Sequence, residues 1–118
     1  MAYLLLIMEE PGQRATRSGA EGREVFDRMA KWGTDLKRQG KLKAMESLAS
    51  PNQDSVRVQV RAGKPSLVDG PFAEAKEMVG GFFLLDGVTR EEAVALAKEC
   101  PAAQWATVEV RQLGPCYT

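Results

Sequence analysis

Residues 69–72 read Asp-Gly-Pro-Phe, and Glu74, Lys76 and Glu77 follow just before the apolar run Phe82-Phe83-Leu84-Leu85. Carboxylates and a lysine at the lip of an apolar strand are components of a binding or proton-transfer site. Asp69 would serve as general base, while Lys76 or Arg111 would steady a developing oxyanion. Further on, Glu109 and Arg111 alternate away from Val108 and Val110. If the valines face the helices, this acid and base share the opposite sheet face, where burial would require them to pair. The candidate ligand-binding positions are therefore Asp69, Gly70, Pro71, Phe72, Lys76, Glu77, Gly81, Glu109 and Arg111. A plainer reading stands beside this one. Asp in an Asp-Gly turn often bonds its own backbone, and adjacent opposite charges such as Lys76-Glu77 commonly form a solvated face.

The missing residue types narrow the chemistry as firmly. The chain has no histidine, which removes the commonest general base and the usual nitrogen ligand for a metal. Its two cysteines, Cys100 and Cys116, lack the spacing of a zinc or redox motif. No metal site and no cofactor is expected. Cys100 is expected to be a small buried hydrophobe near a helix end.

Local backbone chemistry explains how the Asp69 corner could be held. Gly70 precedes Pro71, where an ordinary side chain would be confined. Pro71 stiffens the exit, and Phe72 is a natural anchor back into the core. Gly80 and Gly81 remove side chains where the next strand begins, so a backbone or ligand can come close.

The elements that must position these residues follow from hydrophobic period. Tyr3 to Met8 reads as a buried strand, too short to span a membrane and without the basic flank of a signal peptide. Ser18 and Glu21 have capping-box spacing, and Val25, Met29, Trp32 and Leu36 recur at helical intervals up to Gly40. Trp32, on that stripe, is expected in the core. Residues 41–50 return to an extended pattern. Val56, Val58 and Val60 alternate with Arg57, Gln59 and Arg61, and Ala62-Gly63-Lys64 marks a hairpin tip. A strand over 78–87, a helix that starts at the capping-box spacing of Thr89 and Glu92 and is ended by Pro101, and a final strand over 105–114 complete the chain.

This order is β-α-β-β-α-β with an inserted hairpin: an α+β, ferredoxin-like fold with an antiparallel sheet, in one domain over 1–118. Two of its strands, Tyr3 to Met8 and Phe82 to Leu85, are apolar on both faces. Two helices cover only one face of such a sheet. A second copy of the chain is the simplest cover for the other, giving a homodimer through the sheet face.

Taken together, "LVDGPFAEAKEMVGGFFLLD" and "ECPAAQWATVEVRQL" resemble the YCII-related family, and in particular its branch named for the Asp-Gly-Pro-Phe motif. The resemblance spans roughly residues 2 to 113. It implies a dimeric α/β barrel with one cleft per subunit. The histidine–aspartate pair associated with relatives does not carry over to a chain without histidine. Members of that branch are often encoded beside extracytoplasmic-function sigma factors, which implies a sensing or accessory context and a sigma-factor partner.

Sixteen basic residues balance sixteen acidic ones, which argues against a nucleic-acid partner. No membrane partner is expected either, and the composition fits a cytoplasmic protein with reduced thiols. The expected function is binding of an unidentified small molecule in the cleft. The alternative is a cofactor-free lyase, isomerase or oxygenase with Asp69 as general base.

Overall fold

The computed structural model describes residues 1–70, 72 and 75–117. Strand β1 (Tyr3–Glu9) is followed by a 3-10 turn at Arg14–Thr16 and then by helix α1 (Gly19–Arg38). Strands β2 (Leu42–Ser47), β3 (Val56–Arg61), β4 (Lys64–Asp69) and β5 (Met78–Leu85) come next. Helix α2 (Arg90–Glu99), a 3-10 turn at Pro101–Gln104 and strand β6 (Thr107–Gln112) close the chain.

The main sheet has the order β2-β5-β1-β6, with every neighbour antiparallel, while β3 and β4 form a separate two-stranded ribbon. This is the ferredoxin-like arrangement expected, with the hairpin inserted between the second and third strands of the sheet. The 3-10 turns were the elements that hydrophobic period did not show, since three or four residues carry too little pattern.

Helix α1 starts where the capping box predicts. The Ser18 hydroxyl accepts from the Glu21 amide at 3.1 Å, and the Glu21 carboxylate accepts from the Ser18 amide at 2.8 Å. These backbone and side-chain hydrogen bonds from Ser18 hold the Glu21 carboxyl below its ordinary range. Gly40, at φ +73°, ends the helix in the left-handed conformation that glycine adopts without strain. At α2 only half of the expected box forms. Thr89 accepts from the Glu92 amide, but the Glu92 carboxylate turns to Lys41 Nζ at 3.7 Å, tying the helix start to the residue just before β2.

Both helices lie on one face of the sheet. Tyr3, Leu5, Ile7, Phe83, Leu85, Leu36, Val88, Ala93 and Leu96 form the core, and Val108 and Val110 pack against it from β6. Burial pushes the Cys100 thiol upward, as suits a cysteine packed among apolar side chains. Trp32 meets Phe83 edge-on, with ring centroids 5.0 Å apart. Its place is in the core wall, as the helical stripe indicated.

The opposite face is different. Alternation along β1 turns Leu4, Leu6 and Met8 away from the helices, opposite Leu84, Phe82 and Val79 of β5. These residues form an apolar band that no other element covers among the described residues. The β3–β4 ribbon is likewise unsupported, with Val56, Val58, Val60, Leu67 and Val68 all exposed.

Candidate functional site

The odd-numbered residues of β1 face the core, and the fourth of them is a glutamate. Glu9 lies at the strand end with only 6% of its surface exposed. A carboxylate there must be paired. The turn after β1 supplies the partner: Arg14 Nε donates to Glu9 Oε1 at 3.1 Å and Arg14 Nη2 to Oε2 at 2.8 Å. The same guanidinium donates to the Leu48 carbonyl at 2.7 Å and the Gly80 carbonyl at 3.2 Å. One arginine therefore ties the ends of β1, β2 and β5 together.

Two glycines make room for this arrangement. The β1–β5 register steps from Ile7↔Gly81 to Met8↔Val79, leaving Gly80 as the extra residue of a bulge. A methyl group on Gly80 would overlap the Glu9 carboxylate. On Gly81 it would come within 2.8 Å of the Glu46 carbonyl of β2. The Gly-Gly pair thus admits a buried carboxylate on one side and a neighbouring backbone on the other.

Above this floor, α1 leaves the sheet to form a cleft of about 610 Å³. The walls are largely apolar, built from Val25, Phe26 and Met29 of α1, Met45 of β2 and Phe83 of β5. Glu9 and Arg14 lie in the lining, and Arg17 and Trp105 complete it. Trp105 is fixed from behind. Its carbonyl accepts from Gln13 Nε2 at 2.7 Å, which joins the first loop to the second 3-10 turn. Chemically, the cleft suits a flat, mostly apolar molecule whose polar groups meet a paired carboxylate and guanidinium.

The residues singled out from the sequence fall in three places. Gly81 lines the cleft. Glu109 and Arg111 stand exposed on the uncovered sheet face, beside Leu6 and Leu4, and pair with each other at 3.3 Å. Asp69, Gly70 and Phe72 sit at the base of the β3–β4 ribbon, outside the cleft lining, and Asp69 is exposed. Lys76 and Glu77 are exposed on the approach to β5. Pro71 and Glu74 lie outside the described residues.

The ribbon base is tightly built. The Gly70 amide donates to the Ser55 carbonyl at 2.8 Å, and the Ser55 hydroxyl donates to the Pro51 carbonyl. A methyl group on Gly70 would strike both Ser55 and Pro51. Gly70 therefore serves a close approach to the backbone of Pro51 and to Ser55. Phe72 anchors differently from expectation. It lies under the Arg57 guanidinium, 3.8 Å from its ring centroid, and not in the core cluster.

Sequence reasoning missed Glu9, Arg14, Gln13, Arg17 and Trp105. One signal was available: the period of two along β1 puts position 9 on the core face, and a glutamate there demands a cation nearby. The approach of Trp105 to residues 13–17 had no local signature, because it joins opposite ends of the chain.

The family model of the YCII-related domain matches residues 1–116. An uncharacterized protein of Rhizobium meliloti (strain 1021), R00369, is 30% identical over 115 residues, covering 96% of this chain and 92% of the relative. Among solved structures, 5-chloro-2-hydroxyhydroquinone dehydrochlorinase (TftG) from Burkholderia phenoliruptrix AC1100, in complex with 2,5-dihydroxybenzoquinone, superposes with a TM-score of 0.53. That likeness covers 97% of this chain and 94% of the other at 16% identity, a similarity of fold.

Proposed function

Because the chain belongs to the YCII-related family, we propose that it is a small-molecule-binding protein whose ligand occupies the cleft between α1 and the sheet. The observation that carries this reading is the cleft itself: about 610 Å³ of mostly apolar lining, with the buried Glu9 paired to a half-buried Arg14 at its floor. Ligand sites are typically hollows of ~300–1,000 Å³ with apolar walls and a few placed polar groups. The ligand class we favour is a hydroxylated ring or quinone. The apolar walls support it, as does the dihydroxybenzoquinone bound by the dehydrochlorinase of similar fold.

Binding is favoured over turnover by the state of Glu9. Both of its oxygens accept from Arg14, so the carboxylate is engaged as a recognition element and not poised as a base. The enzyme reading, with Asp69 as general base, draws on the rigid corner at Ser55 and Gly70. It requires a substrate held at the ribbon base, since Asp69 does not line the cleft. Pairing of two copies through the bare apolar sheet face is part of the same proposal. A sensing role beside a sigma factor rests on the family resemblance.

Thermal denaturation with 2,5-dihydroxybenzoquinone and a panel of hydroxylated aromatics tests the cleft. A ligand at one hundred times its Kd adds about 2.7 kcal/mol and raises the midpoint by several degrees. Ala30→Trp, which fills the cleft from α1, should abolish the shift while leaving helix content intact. Asp69→Asn should leave it unchanged, and hits should be recovered chemically unaltered. An equal shift in Ala30→Trp, or none in wild type across the panel, would refute the cleft as the binding site.

A further inference from the structure

Two cations meet over one ring of the cleft lining, Arg17 from within that lining and Arg28 from beside it on α1. The Arg28 guanidinium lies 5.2 Å from the centroid of Trp105, and that of Arg17 lies 5.9 Å from it. Both belong to the first part of the chain and Trp105 to the last, so the fold brings them together. The four ion pairs among the described residues are Arg14–Glu9, Arg38–Asp35, Lys41–Glu92 and Arg111–Glu109. Neither Arg17 nor Arg28 is in one. Glu21 lies near enough to feel Arg17, but its carboxylate is committed to the amide and hydroxyl of Ser18. Two like charges on one indole repel each other, and the ring alone offsets this only in part.

The distribution of charge through the cleft then has a direction. Its floor is a neutralised pair and its walls are largely apolar, while at Trp105 it carries Arg17, with Arg28 on the same ring just outside the lining, and neither guanidinium has a carboxylate ion-pair partner among the described residues. Guanidiniums recognise carboxylates with short, charge-assisted hydrogen bonds, and a neighbouring ring limits how far they can turn away. We infer that the ligand of this cleft is an aromatic acid, its carboxylate held between Arg17 and Arg28 at Trp105 and its ring against the apolar walls. This inference rests on the reading of the cleft as the ligand site and names the chemical class it takes. A hydroxylated ring without an acid group would fill the apolar walls but leave the charges at Trp105 uncompensated, so the acid narrows that class. A highly charged anion would fail to enter the apolar interior.

Matched probes separate the two ideas. Benzoate and salicylate are to be titrated against benzamide and salicylamide by calorimetry, at low and high salt. The acids should bind about tenfold or more tightly than their amides, and lose affinity as salt rises. Arg17→Met and Arg28→Met should each weaken the acids by a similar factor and leave the amides unaffected. Trp105→Phe keeps a ring and should preserve much of the difference. Equal binding of acids and amides, unchanged in both arginine variants, would overturn the acid subsite while leaving the cleft as a binding site. Acid binding that survives Ala30→Trp would overturn it too, since the acid would then sit on the surface. Failure of every probe in the wild-type protein would overturn the subsite and count against the cleft reading itself.

Discussion

A carboxylate removed from water needs a partner held in place, and Glu9 has one in Nε and Nη2 of the Arg14 guanidinium. The glycine opposite is part of the same device, because any side chain at position 80 would occupy the space of the Glu9 carboxylate. Gly80→Ala should therefore destabilise the protein by about 1–3 kcal/mol, as overpacking of a filled site does. In a Glu9→Ala background the same change should cost less, with a coupling energy on the order of 1 kcal/mol measured by a denaturant double-mutant cycle. Additive costs would mean that the two positions do not share the space. Glu21 offers a test by pH. Its hydrogen bonds with Ser18 lower its pKa on folding, so the contribution is present above the unfolded carboxylate value and is lost as pH falls through the folded one. Ser18→Ala should lower the melting midpoint at neutral pH, and the gap to wild type should narrow toward acid.

At the scale of elements, the β3–β4 ribbon stands apart from the rest. Among the described residues its strands pair with each other and with no other strand, and its valines remain exposed. What organises it is the corner where Gly70 meets Pro51 and Ser55. Gly70→Ala should loosen that corner and leave the main sheet intact. Limited proteolysis should then cut faster within residues 52–77, while the thermal midpoint of the core moves little, about 0.5 kcal/mol or less as for sites outside a core. A core midpoint that falls sharply would show the ribbon to be coupled to the sheet. Helix α1 behaves in the opposite way, since it is pinned close to the sheet. A methyl on Gly33 would overlap the Met45 sulfur, and Trp32 packs edge-on against Phe83. Close packing at its C-terminal half is what allows its N-terminal half to stand clear and open the cleft.

The whole molecule is flat, about 46 × 42 × 20 Å, with a radius of gyration of 16.0 Å. A compact chain of this length would have a radius near 13.5 Å. Flatness leaves much apolar surface exposed, and the band of Leu4, Leu6, Met8, Phe82 and Leu84 is the part of it that a second sheet would cover. A stable pair needs on the order of 1,200–2,000 Å² of buried surface in total. Sedimentation at micromolar concentration should show a dimer, and Leu6→Lys should convert it to a folded monomer by placing a charge at the centre of the band. A monomeric wild type would remove the case for pairing through this face. The exposed Glu109–Arg111 pair flanks the same band. In a dimer it would be drawn toward the interface, where a broken pair costs more than it does in water.

Much of this architecture was legible from residue order alone. Period two and period 3.6, with Ser18, Gly40 and Thr89 as stops and starts, are local signals, and local signals fix strands and helices. The apolar character of β1 and β5 on both faces likewise marked a sheet surface that the two helices leave bare, for which a second copy of the chain is the expected cover. The cleft was not legible in the same way. Glu9 declared its burial through its place in the alternation of β1, but its partner, its glycine and the tryptophan of the lining lie 5, 71 and 96 positions further along the chain. Only the closing of β1 between β5 and β6 brings them together. The Asp-Gly-Pro-Phe motif shows the converse: it is conspicuous in sequence, yet its Gly70 and Phe72 meet Pro51, Ser55 and Arg57 and not the cleft. Sequence determines which residues repeat at the spacing of a strand or helix, because that depends on near neighbours. Which distant side chains share one enclosed space depends on how the sheet closes, and only the tertiary structure decides it.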